Sequence, residues 1–170
     1  MNEKINKMDN NQNMEFTILA IDDDPLVLKL IEASLLKDNY KILFAPNGEE
    51  GLKMAEEIVP DLILLDVVMP GIDGFDVCAS IRKNERIQHI PIIILTALDD
   101  RDSKIQGLEA GADDYICKHF DKIEFRARVK TVTRISRMNQ LNIINQLTRQ
   151  LEEKDKIIAT LKEELDKLKS

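Results

Sequence analysis

The sequence predicts an α/β fold built on a doubly wound parallel sheet, and two observations carry that prediction. Five short apolar runs alternate strictly with five segments of helical pattern, which implies right-handed βαβ crossovers. The runs are also apolar at nearly every position, as expected for strands buried on both faces of a parallel sheet. A length of 170 residues fits one such domain plus an appendage, and an apolar fraction of 44% is enough to fill its core.

The first run, 17–21 (TILAI), ends in Asp22-Asp23-Asp24. Asp24 followed by Pro25 supplies an N-cap and a proline at the first helical position, opening the helix PLVLKLIEASLLK. The second run is 41–45 (KILFA). Asn47 stands three residues before Glu50, an approximate capping box ahead of EEGLKMAEEIV. The third run, 62–65 (LILL), ends at Asp66, and Gly74 opens the helix FDVCASIRK. The fourth, 91–95 (PIIIL), ends at Thr96; Asp100 or Asp102 opens a helix through Leu108, stopped by Ala110-Gly111. The fifth, 115–117 (YIC), ends at Lys118. Asp121 then opens a final helix that meets no Gly or Pro before Ser170.

Several classes are excluded early. A net charge of −7 argues against a general nucleic-acid binder. The two cysteines, Cys78 and Cys117, lack the spacing of a disulfide framework or a zinc site, which favours a reducing, cytoplasmic setting. Residues 1–14 are polar and aperiodic, so a disordered tail is expected rather than a signal peptide. No apolar run approaches a membrane span. A dinucleotide-binding reading fails because no Gly-rich turn follows Ile21.

In a doubly wound sheet, sites form at the carboxyl ends of strands. Asp22, Asp23 and Asp66 are therefore expected to converge. Crowded carboxylates repel unless a cation neutralises them, and a few hard oxygen ligands open to water suit Mg²⁺. Thr96 and Lys118 end the neighbouring strands. Carboxylates, metal, hydroxyl and ammonium together fit phosphoryl chemistry, with a carboxylate as the nucleophile.

The segments ILAIDDDP, LILLDVVMPGIDG, PIIILTA and GADDYICK resemble, in order, the signature segments of the response-regulator receiver family. The resemblance implies a CheY-like, flavodoxin-like sheet of order 2-1-3-4-5. It implies Asp66 as phospho-acceptor, with Asp22, Asp23, Asp66 and the Val68 backbone carbonyl holding Mg²⁺. Thr96 and Lys118 would contact the phosphoryl group, and Thr96 with Tyr115 would form the switch. A sensor histidine kinase or phosphotransfer protein is the implied donor. The chain would then be a switch that promotes its own phosphorylation and dephosphorylation rather than a conventional enzyme.

Two departures stand out. The family usually follows its lysine with a proline in a cis bond; here His119 stands there, and a non-proline cis bond costs roughly 3–4 kcal/mol. Either that strain is present or the bond is trans and Lys118 is re-aimed. Val68 and Leu98 are apolar where the family's side chains help orient the hydrolytic water, which predicts a long-lived phosphoryl group.

The receiver is expected over 15–136, followed by a coiled-coil extension over 137–170. With Ile144 at position a, the seam is Ile144, Leu147, Leu151, Lys154, Ile158, Leu161, Leu165 and Leu168, apolar except for Lys154. Three-residue steps through Met138, Leu141 and Ile144 form a stammer. A parallel homodimer is expected, with Glu164 and Lys169 as a charge pair across the seam, relaying state to a downstream effector. The rivals are a stand-alone phosphorelay intermediate or phosphate sink, and a phosphatase of the haloacid-dehalogenase type, which would want an Asp where Val68 stands. A basic-zipper DNA binder is suggested by Lys122, Arg126, Arg128, Lys130, Arg134 and Arg137 ahead of the seam, but the base-contacting pattern is missing. Neither nucleic acid nor membrane is an expected partner.

Overall fold

The structure is a computed structural model that describes residues 16–97 and 101–169. The expected N-terminal tail, Leu98 and Asp100 lie outside the described residues. Strands β1 (Phe16–Ile21), β2 (Tyr40–Ala45), β3 (Leu62–Asp66), β4 (Ile92–Thr96) and β5 (Asp114–Cys117) alternate with five helices. These are α1 (Pro25–Leu35), α2 (Gly48–Ile58), α3 (Gly74–Lys83), α4 (Arg101–Glu109) and α5 (Lys122–Lys169). All pairings are parallel, in the order β2-β1-β3-β4-β5.

Strand alternation sends successive side chains to opposite faces, and the core divides accordingly. Leu19, Ile21, Ile63 and Leu65 pack with Ala55, Val77, Cys78 and Ile81 from α2 and α3. Ile18, Ala20, Leu62, Leu64, Ile93 and Leu95 pack on the other face with Ile31, Leu35, Phe125 and Val129 from α1 and α5. β3 and β4 are buried at every position, as their unbroken Ile/Leu runs require. The expectation of burial on both faces is wrong for β2 and β5. As the outermost strands of the sheet they are partly exposed, β2 at all positions except Ala45 and β5 at all except Ile116.

The caps follow the sequence closely. Asp24 Oδ1 accepts from the Leu26 amide at 2.8 Å and Asn47 Oδ1 from the Glu50 amide at 2.8 Å. Asp73, one residue before Gly74, caps α3 by accepting from the Asp76 amide at 2.9 Å. Asp121 Oδ1 accepts from the Ile123 amide at 2.8 Å at the start of α5.

One guanidinium organises the edge where β4 and β5 begin. Arg82, near the end of α3, donates to the carbonyls of Gly111 (2.8 Å), Gln88 (2.8 Å) and Ile90 (2.7 Å), and to Asp113 Oδ2 (2.8 Å). The same Asp113 oxygen accepts from the Ile92 amide. At the start of α5, Arg126 and Lys130 converge on Asp38 in the turn before β2, with Arg126 Nη2 2.9 Å and Lys130 Nζ 3.0 Å from Oδ1. The Arg126 contact holds the Asp38 carboxyl below its ordinary value.

The chain divides into two compact units after Val132. The first holds the sheet. In the second, α5 continues without interruption, and the seven apolar residues of the expected seam are 48% to 85% exposed in the single chain.

Candidate functional site

Parallel pairing brings the strand ends to one edge of the sheet. β1 and β3 are neighbours with Ile21 opposite Leu65, so the next residues, Asp22 and Asp66, stand side by side. The chain leaves these two central strands in opposite directions across the sheet, and that switch point is where α/β sheets bind ligands. Asp66 in turn lies opposite Leu95, and Thr96 opposite Cys117.

Carboxylate oxygens of Asp22, Asp23 and Asp66 lie within 4.8 Å of one another. Asp22 and Asp66 are buried, at 2% and 3% exposure, while Asp23 is exposed. Asp22 Oδ1 accepts from the Asp24 amide at 2.9 Å. Its Oδ2 is buried without an aligned hydrogen-bond donor; Lys118 Nζ meets it at 2.8 Å as an ion pair. The same ammonium reaches Asp66 Oδ2 at 2.9 Å. Burial pushes the Asp66 carboxyl above its ordinary value and the Asp22 charge adds to this, against the Lys118 ammonium and the Val68 amide. Burial pulls the Lys118 ammonium down, but the two carboxylates more than offset it and leave it raised.

Lys118 reaches both carboxylates with no cis bond among the described residues, so the chain is trans at His119 and the lysine is nonetheless on target. A main-chain contact helps: the Lys118 amide donates to the Thr96 carbonyl at 2.8 Å, fixing the end of β5 against the end of β4. Thr96 itself is fully buried. Tyr115 is half-buried, packed with Val67, Phe75 and Ile94, and Lys104 Nζ sits 5.9 Å from its ring centroid. The Val68 side chain is 60% exposed beside the cluster.

Gly74 also shapes the site, although in the sequence it stood only as a helix start. Its amide donates to the Val67 carbonyl at 2.9 Å, and a Cβ there would lie 2.1 Å from the Asp66 carbonyl oxygen. The first turn of α3 therefore rests directly on the backbone of Asp66. A glycine at the first position of a helix, a few residues past a strand-end aspartate, was the available signal.

The donor set fits a hard divalent ion: two buried carboxylates and one exposed, one of them with an oxygen lacking a directed donor. The family model for the response regulator receiver domain matches residues 18–130. The chain belongs to the response regulator receiver family. The receiver is 44% identical over 121 residues to the response regulator PleD of Caulobacter vibrioides, covering 71% of this chain and 27% of that protein. It is also 44% identical over 117 residues to the DNA-binding dual master transcriptional regulator RpaA of Synechocystis, covering 69% of this chain and 48% of that protein. A crystal structure of a putative response regulator from Chloroflexus aurantiacus superposes with a TM-score of 0.67 at 39% identity, covering 70% of this chain and 98% of that one. The chain spans about a quarter to a half of the length of these curated relatives. Receivers act in two-component signal transduction, are phosphorylated on aspartate with Mg²⁺ held by acidic residues, and interact with histidine kinases or phosphotransfer proteins. Among the described residues, no helix is long and apolar enough to cross a membrane.

Proposed function

We propose that this chain is a phosphorylation switch centred on Asp66. A carboxylate oxygen of Asp66 attacks the phosphorus of a phosphohistidine on a sensor kinase or phosphotransfer protein, and the bond from phosphorus to the imidazole nitrogen breaks. Asp22, Asp23, Asp66 and the Val68 carbonyl would hold Mg²⁺, which neutralises the crowded carboxylates and the phosphoryl oxygens. Lys118 leaves its ion pair with Asp66 and follows the charge onto the phosphoryl group, remaining near Asp22. Thr96 donates its hydroxyl to another phosphoryl oxygen, and Tyr115 moves with it against α4.

The observation that carries this reading is the ammonium of Lys118 bridging two buried carboxylates at 2.8 and 2.9 Å. It is a counter-charge placed where an added phosphoryl group would need one.

The receiver spans 15–136, and residues 137–170 pair with a second copy as a parallel coiled coil through Ile144, Leu147, Leu151, Ile158, Leu161, Leu165 and Leu168. Their exposure in the single chain, at heptad spacing, supports a partner helix. The paired helices relay the state to an effector; a stand-alone phosphorelay intermediate is the second reading. DNA binding by the basic stretch is disfavoured by its pairing: Arg126 and Lys130 face Asp38, and Arg128 faces Asp114 and Glu124.

The test is labelling with acetyl phosphate and Mg²⁺, combined with light scattering with and without beryllofluoride. Mg²⁺-dependent labelling and a dimeric mass are expected. A chain that takes no label overturns the switch, and a monomer at all concentrations overturns the coiled coil. Phosphotransfer onward to a histidine protein would favour the relay.

The exposed Val68 side chain has no group to orient an attacking water, so the acyl phosphate should be long-lived. Val68→Asn is expected to shorten its lifetime, read as loss of label after donor removal. A parent half-life of seconds would refute this.

A further inference from the structure

The ring of Tyr115 rests in a seat to which α4 contributes two residues. Gly107, buried in that helix, leaves room for it: a Cβ there would lie 3.5 Å from Tyr115 Cδ2 and 3.1 Å from Ile94 Cδ1. One turn earlier on the same face of α4, Lys104 is exposed and holds its ammonium 5.9 Å from the ring centroid. Val67, Phe75 and Ile94 pack around the ring from below. We propose that Lys104 is a positioning residue for the switch: its charge over the ring holds Tyr115 against Gly107, the position that phosphorylation of Asp66 favours.

This rests on the switch role proposed for Tyr115 and names what sets its bias. Phosphorylation would draw the ring against α4. With Asp66 still paired to Lys118, the ring already lies there. A chain whose competent arrangement is populated in advance has less to rearrange, and losing part of that population slows phosphorylation in proportion.

The ring is not locked in place. It is half-buried, and beside it opens a pocket of about 230 Å³ lined also by Glu124 and Arg128, so it has room to leave. The apolar wall of Val67, Phe75 and Ile94 would accept an aliphatic group as readily as an aromatic one. The ammonium adds an attraction that only a π face can answer. Lys104 would thus act on Asp66 through Tyr115 and Thr96.

The test is Lys104→Gln in the full chain, read in two ways. Initial labelling by acetyl phosphate with Mg²⁺ should slow about two- to fivefold, the weight of one exposed cation–π contact. Lys104→Arg should label as the parent does. Acrylamide quenching reads the ring itself. The chain has two tyrosines and no tryptophan, so Tyr40→Phe leaves Tyr115 as the sole emitter of its kind. Its emission should be more readily quenched when Lys104→Gln is added. A general effect of charge on the anionic donor is separated by a double-mutant cycle: combined with Tyr115→Leu, Lys104→Gln should slow labelling no further. The same further slowing in that background overturns the proposal, as do parental rate and quenching in Lys104→Gln. If no chain takes label, the reading of Asp66 fails by itself, and parental quenching in Lys104→Gln is then what overturns the hold on Tyr115.

Discussion

Replacing Asp66 by Asn is expected to abolish labelling by acetyl phosphate and, in magnesium-free buffer, to raise the melting temperature. Both outcomes have one cause. Asp66 is buried beside the Asp22 charge, and its carboxyl titrates above the ordinary value even with Lys118 alongside. A carboxyl whose pKa is raised on folding favours the native state below its unfolded pKa, and that advantage is lost as pH rises through the folded value. At neutral pH the ionised group is thus a net destabiliser. The amide removes that penalty and the Asp22 repulsion, while Lys118 keeps Asp22 as its partner.

The parent chain should lose stability as pH climbs from the ordinary carboxylate range through the raised Asp66 value, and the variant should lose less. A gain of about 1 kcal/mol would appear as roughly 3–6 °C in a domain of this size. Added Mg²⁺ should stabilise the parent by mass action and the variant much less. Scanning calorimetry with and without Mg²⁺, across pH, reads all three. A variant that still takes label at the parent rate would end the account of Asp66; one that melts lower without Mg²⁺ would end the account of its burial.

The second large effect is expected at Gly74. A methyl group there would meet the Asp66 carbonyl oxygen at 2.1 Å and the Val67 Cα at 2.8 Å, both main-chain atoms that cannot rotate aside. Gly74→Ala must push α3 off the end of β3, at a cost of about 3 kcal/mol. Gly48 is the comparison: a Cβ there meets side-chain atoms of Ile72 and Val77 at 2.7 Å, a longer approach and one to side chains instead of main chain, so its clash is the milder of the two. Urea unfolding should show a much lower midpoint for Gly74→Ala than for Gly48→Ala, with the slope unchanged. Labelling of Gly74→Ala should also fall, because the Asp66 backbone moves. Equal midpoints for the two variants would refute the distinction.

Much of this was legible in the sequence, for a physical reason. Strands buried on both faces must be apolar throughout, so the polar residue that ends each one stands out, as Asp22, Asp66 and Thr96 do; Lys118 stands out in the same way after the short apolar run of an edge strand. Caps were legible because only side chains such as Asp24, Asn47 and Asp121 satisfy the first free amides of a helix. The partial exposure of β2 and β5 was not, because edge position depends on strand order rather than on the strand's own residues. Nor was the aim of Lys118 across a trans bond to His119, which depends on the main-chain contact to Thr96. The contact of Gly74 with the Asp66 carbonyl is tertiary, and a one-dimensional pattern registers only that a small residue stands there.

The four contacts of Arg82 have a mechanical corollary. They clamp the entry points of β4 and β5, far along the chain from the carboxylates, through a planar fork that a lysine cannot reproduce. Those two strands are thus tied together at both ends, by this guanidinium where they begin and by the Lys118 amide on the Thr96 carbonyl where they finish. A change of charge at Asp66 therefore meets two strands that must shift as a pair, since neither can move at its finish without carrying the other.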